Sequence, residues 1–136
     1  NLYHSPDGER AFEKGPLLFD PNARHFAVRV RDGWVDAFHT IRGDAPERIL
    51  VSRIVTDGDW MSWRAQPAEE VLEPETDYEG ADLPIAPSVK GLARERVRQL
   101  RDPCIYEDEG RTYLVYSVAG ELGLAIAELV EGDADS

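Results

Sequence analysis

Apolar residues in this chain recur mostly at every second position, a period that belongs to β-strands and not to helices. Phe26, Val28 and Val30 alternate with Ala27, Arg29 and Arg31, and Asp32-Gly33 then supplies a hairpin turn. Strand-like composition resumes from Trp34 to Ile41. Gly43-Asp44-Ala45-Pro46 breaks the chain, and Ile49 to Ile54 forms a third strand. Asp57-Gly58-Asp59 turns towards Trp60-Met61-Ser62-Trp63, which reads as a short fourth strand.

From about Pro67 to Leu100 the period fades, and Pro67, Pro74, Pro84 and Pro87 point to a long ordered loop at the surface, with room for one helical turn in Leu92 to Leu100. Strand character returns at Cys104-Ile105-Tyr106 and turns at Glu107-Asp108-Glu109-Gly110. It continues through Thr112 to Val118 and Leu122 to Leu129. The sequence therefore divides into the end of a preceding unit (1–20), one complete four-stranded meander (24–66), a proline-rich loop (67–100), the start of a second unit (101–130) and an acidic tail (131–136). Meanders repeated every 40 to 50 or so residues mark the blades of a β-propeller. Two or three blades do not close a ring. The expectation is either a fragment or a chain completed by other copies or partners.

Composition narrows the partners. Among 136 residues, 27 acids oppose 15 bases, for a formal charge of −12. Nucleic acid and anionic membrane both demand a basic face. Neither is an expected partner. The one basic cluster, Arg94, Arg96, Arg98 and Arg101, reads first as a loop balancing nearby acids, and second as a contact for an anionic group. Cys104 is the single cysteine, so no internal disulfide or thiolate metal site can form, and its apolar neighbours suggest a core thiol. The lack of a disulfide fits the cytoplasm. No apolar run approaches the ~18 residues of a membrane span. The opening Asn1-Leu2-Tyr3-His4 is neither a start methionine nor a signal peptide, which suggests a processed or truncated chain.

Two segments carry a family resemblance. Arg101-Asp102-Pro103-Cys104-Ile105-Tyr106, followed by Glu109-Gly110-Arg111-Thr112-Tyr113-Leu114-Val115-Tyr116-Ser117, resembles a blade opening of the arabinanase, xylosidase, invertase and levansucrase-like enzymes. Tyr78-Glu79-Gly80 is similar to the Glu-Gly motif that carries the general acid in several of those families, and Phe26 to Trp63 is similar to one of their blades. The resemblance spans about residues 24 to 129. It implies an all-β fold, a partial five-bladed β-propeller of four-stranded antiparallel blades. It further implies a glycoside hydrolase-like protein that acts on or binds carbohydrate without cofactor or metal.

Glycosidic cleavage needs a protonated acid on the leaving oxygen and a carboxylate to activate water or attack the sugar. The resemblance makes Glu79 the acid, its pKa raised by burial and neighbouring charge, and Asp102 the carboxylate that tunes it or stabilises the transition state. Arg101 would hold Asp102 ionised or meet sugar hydroxyls. His39 and Trp34 are candidate substrate contacts. The motif order departs from the family, because Glu79 precedes Asp102, and the base is left open, with Asp20 and Asp44 as weak substitutes. Each residue also has an ordinary reading. Asp102 before Pro103 can cap a turn, Glu79 can be a solvated acid, and Trp34, Trp60 and Trp63 can be packing. His4, His25 and His39 lack metal-ligand spacing and read as structural, and the acidic run Glu107 to Glu109 lacks the alternation of a calcium loop. The alternatives to an enzyme are a non-catalytic carbohydrate-binding or scaffolding propeller, or a small all-β interaction domain.

Overall fold

Where the sequence alternates, the chain pairs with itself in hairpins. A computed structural model describes residues 1–131, and its fold is all-β, with every sheet antiparallel. Strands β1 (Tyr3–His4) and β2 (Glu13–Lys14) pair only with each other. A four-stranded sheet follows in the order β3 (Ala23–Arg31), β4 (Trp34–Ile41), β5 (Ile49–Val55) and β6 (Glu69–Leu72). A three-stranded sheet follows from β7 (Arg101–Asp108), β8 (Arg111–Val118) and β9 (Gly123–Leu129). The acidic tail expected at 131–136 lies outside the described residues after Glu131.

Register assigns the faces. Ala27 pairs with Phe38 and Phe38 with Val51, so these three share the face turned to the second sheet. There Ile105 pairs with Leu114 and Leu114 with Ala127, which form the answering face. Phe38, Ile49, Leu100, Leu114, Tyr116 and Val118 are buried between the two, and β3 and β7 make the main approach. Burial of this apolar surface is the principal favourable term for a chain of this size.

Three expectations need correction. Trp60–Ser62 is a 3-10 turn and not a fourth strand, because the Asp59 carboxylate accepts from the Met61 N–H and caps it. The Trp60 ring then packs at a tilt against His4, with ring centres 5.3 Å apart. The true fourth strand is β6, inside the stretch expected to be loop, so the first sheet runs to Leu72. Cys104 is exposed and not a core thiol, because an irregularity between Arg101 and Cys104 turns it to the outer face opposite Val115, while Ile105 takes the inner one. Phe26, Val28 and Val30 do alternate as expected, but they lie exposed on the outer face of the first sheet.

If these faces are right, Leu114→Ala should cost about 2–5 kcal/mol in denaturant unfolding, the range for a fully buried leucine. Val89→Ala, at an exposed loop position, should stay within about 0.5 kcal/mol of wild type. Equal costs would contradict the assigned core.

Candidate functional site

The two sheets begin alike. β3 has an arginine at its second position and β7 at its first, and in each the pairing slips between that arginine and the residue three places on, Arg24 to Ala27 and Arg101 to Cys104. The residue after each arginine is left-handed, His25 at φ 56° and Asp102 at φ 49°. His and Asp tolerate that conformation better than most residues, yet it still costs energy, and such residues collect at functional sites. Each binds a hydroxyl on the adjoining strand. His25 Nδ1 lies 3.0 Å from Thr40 Oγ1, and Ser117 Oγ donates to Asp102 Oδ2 at 3.0 Å. Each arginine also meets an acid beyond the second strand of its own sheet. Arg24 donates to both oxygens of Glu47, and Arg101 Nη1 donates to Glu121 Oε1 at 2.8 Å.

Glu47 joins the two units. It is fully buried, receives Arg24 at 2.9 and 2.7 Å, and accepts from Thr40 Oγ1 at 2.7 Å. Arg101 Nε approaches Glu47 Oε2 at 3.3 Å from the other sheet. Burial alone would raise the Glu47 carboxyl, but hydrogen bonds from Arg24, Thr40 and Ser88 outweigh it and hold the group below its ordinary range. Both arginines also pin the loop above them. Arg24 donates to the Val89 carbonyl at 3.2 Å and Arg101 to that of Gly91 at 2.9 Å.

Above this layer sit His25 and Asp102, with His25 Nε2 3.6 Å from Asp102 Oδ1. Burial lowers the His25 pKa, with Asp102 opposing, and the ring is neutral at neutral pH. Proton accounting then fixes its tautomer. The single Thr40 hydroxyl proton goes to the Glu47 carboxylate, so His25 Nδ1 must donate to Thr40. His25 Nε2 is left as an acceptor, and so is Asp102 Oδ1. Two acceptors face each other. The Asp102 side chain is 47% exposed, so the pair is open to a ligand, and what it lacks is a donor.

The residues named from sequence do not assemble into one pocket. Arg101 is 1% exposed and donates to Glu121, Gln99 and Gly91, while its Nε faces Glu47 at 3.3 Å as an ion pair without a hydrogen bond. No sugar can reach it, so its part is to position the neighbouring strand. Glu79 is buried in a 3-10 turn (Asp77–Glu79), where it completes a capping box with Thr76. Its Oε2 accepts from Tyr116 Oη at 3.0 Å. Burial and Glu79 together raise the Tyr116 phenol far above its usual value, so that bond keeps its donor. Gly80 ends the turn at φ 92°, and a Cβ there would lie 2.4 Å from the Val97 carbonyl oxygen. The Glu-Gly pair thus has a complete structural explanation.

Tyr116 and Ser117 are neighbours on an extended strand and point to opposite faces. Glu79 and Asp102, which they bind, share no hydrogen-bond partner. His39 is buried against Phe19 and Phe26, and Trp34 lies under the Arg53 guanidinium 4.7 Å away. They belong to opposite faces of β4, five residues apart. Asp20 accepts the Asn22 N–H and Asp44 binds Arg48, so each supports a local turn. Arg96 pairs with Asp82, as a loop-balancing base should. Among the described residues no group of three or more His, Cys, Asp or Glu could hold a metal ion, and no helix is long and apolar enough to cross a membrane.

Sequence reasoning missed His25, Glu47 and Glu121. Arg24-His25 and Arg101-Asp102 do stand at matching places in two strand patterns, and aligning the two units would have found them.

Comparison with known proteins adds one relative. Over 107 residues, 78% of its length, the chain is 48% identical to an uncharacterized protein of Acanthamoeba polyphaga mimivirus. It spans only 30% of that relative. No family model matches, and no solved structure matches.

Glu47→Gln should cost about 3–5 kcal/mol at neutral pH, the usual penalty for breaking a buried pair, because two arginines lose their counter-charge. The folded carboxyl titrates below its ordinary value of 4.5, so its contribution is complete above that value and disappears as pH falls through the folded one. Urea unfolding of both proteins should give a gap that narrows in acid. A gap independent of pH would contradict an ionised Glu47.

Proposed function

We propose that this chain is the carbohydrate-facing part of a longer, glycoside hydrolase-like β-propeller. The facing acceptors His25 Nε2 and Asp102 Oδ1 carry the reading. Sugar hydroxyls are donors set on a rigid ring, and two adjacent hydroxyls can satisfy two adjacent acceptors, whereas a carbonyl has no proton to give. The support beneath is rigid, as a recognition site requires: Ser117 and Thr40 fix the two side chains, and Glu47 fixes the strands that bear them.

Several observations favour the propeller arrangement. The two units begin with the same arginine-plus-bulge pattern, their opening strands are neighbours, and the sheets stack face to face. A relative of which the chain spans 30% leaves length for the further blades that closure needs. The roles first given to Asp102 and Glu79 separate here. Asp102 stays the best candidate for a carboxylate that meets sugar. Glu79 is committed to Thr76 and Tyr116, so a hydrolytic acid, about 5–9.5 Å from its partner, would have to come from outside the described residues. This piece therefore recognises, and hydrolysis is a property to seek in the longer protein.

A panel of neutral oligosaccharides should perturb the amide signals of residues 24–26 and 101–103 in NMR titrations, and Asp102→Asn should weaken that binding about tenfold or more by removing a charged acceptor. An amine-bearing ligand that binds where every neutral sugar fails would replace this reading with recognition of a cation.

A further inference from the structure

The facing acceptors His25 Nε2 and Asp102 Oδ1 are one proton away from bonding each other. In the neutral ring Nδ1 donates to Thr40 and Nε2 carries a lone pair, so at 3.6 Å the two groups repel and lack a donor. A proton on Nε2 reverses that. The imidazolium donates to Asp102 Oδ1, and a charge-assisted bond of about 2.7–2.9 Å needs a closure of less than about 1 Å. The neighbours allow it. Nδ1 keeps its bond to Thr40 throughout, Ser117 holds only Oδ2 of Asp102, and the half-exposed Asp102 side chain has room to adjust.

The charges around the ring favour the same contact. β3 itself brings Arg24, the turn between β4 and β5 brings Glu47, and β7 brings Arg101 and Asp102. β4 faces the ring with the Thr40 hydroxyl. The loop held by Arg24 and Arg101 carries the exposed Lys90 between Val89 and Gly91. Arg24 is committed to Glu47, and Arg101 to Glu47 and Glu121. Asp102 is left as the charge beside the ring that has no cation of its own among the described residues. Burial works against the imidazolium, so the ring takes its proton only below the ordinary histidine value of 6.5. Carboxylates as a class ionise well below imidazoles, which leaves an interval in which both charges coexist.

We infer that His25 and Asp102 form a proton-operated latch on the recognition site, open to a hydrogen-bond donor in neutral solution and shut in acid, where the two residues bind each other. The inference rests on the acceptor pair proposed above and not on the ligand being a sugar. One proton enters at Nε2 and none leaves elsewhere. A ligand that donates to Nε2 holds that proton off, so ligand and proton compete for one lone pair, each weakening the other by the same factor.

Nitrogen NMR of the histidine rings in the labelled 136-residue chain, followed from neutral pH into acid, reads the latch without any ligand. The range stays above 4.5, where Glu47 is still ionised. At neutral pH His25 should show a protonated Nδ1 and a bare Nε2. A neutral ring protonated at Nε2 would overturn the inference, because the pair would then be bonded already. Asp102→Asn suits the left-handed backbone and should lower the His25 midpoint by about one pH unit, as loss of an adjacent opposite charge does. An unmoved midpoint would equally overturn it. The panel of neutral oligosaccharides is then titrated on both sides of the wild-type midpoint. Binding should weaken about tenfold one pH unit below it, in step with the unprotonated fraction, and equal binding on both sides would refute the latch. If every sugar fails at both pH values, the carbohydrate reading falls, while the ring titration still decides the latch.

Discussion

Glu47 holds a negative charge in the interior between two sheets, and much of the described structure is arranged around its neutralisation. A buried carboxylate without partners costs several kcal/mol, enough to exhaust the stability of a small domain. Here Arg24 meets it with two bonds from within its own sheet, Thr40 adds a third, and Arg101 approaches from the neighbouring sheet. The two arginines that solve this problem stand at the starts of β3 and β7, so neutralising one charge also sets the two strands side by side. The residues that follow them, His25 and Asp102, are thereby presented together at one edge.

Burial of paired charge is a poor source of net stability and a better source of register. The apolar contact between the sheets, made of Phe38, Val51, Ile105 and Leu114, is forgiving of small slips, as hydrophobic surfaces are. A bidentate arginine–carboxylate pair is not. The division of labour in this protein follows: the core supplies the free energy, and the Arg24–Glu47–Arg101 layer specifies how one sheet sits on the next. A second ionic group, Asp36 between Arg29 and Arg53, lies four residues before Thr40 on β4, within the first sheet, and lines the same inter-sheet space beside Phe38 and Leu129. Burial would raise its carboxyl, but the two guanidiniums prevail and keep it low.

Much of the fold is legible in the sequence, because its main signal is the period-two alternation that pleating imposes. The strands of both hairpins stand close to where Phe26 to Ile54 and Cys104 to Leu129 place them. The errors share one cause, which is that alternation gives the two faces of a strand without saying which is buried. Phe26, Val28 and Val30 form a clean apolar row and lie outside. Cys104 changes face because a bulge invisible to periodicity precedes it. The strand β6 was missed because its Glu69 and Glu70 are exposed and only Val71 and Leu72 reach the core. Trp60 to Trp63 was mistaken for it because aromatic residues suggest strands, while Asp59 caps a tight turn.

The site was legible only where a motif pointed to it. Asp102 stood out beside Pro103, but Glu47 lies in a turn without any local signal, and its importance arises from Arg24 and Arg101, which are 23 residues before it and 54 after it. Distance in sequence hides such a cluster. The most direct test of the account is therefore the coupling between Glu47 and Arg101, measured by a double-mutant cycle of Glu47→Gln, Arg101→Met and the double variant in chemical unfolding. A sheet-to-sheet ionic link predicts strong non-additivity, of about 0.5–3 kcal/mol, with the double variant less damaged than the sum of the singles. Additive losses would mean that Arg101 and Glu47 are merely neighbours, and that something other than this charge holds the two sheets in place.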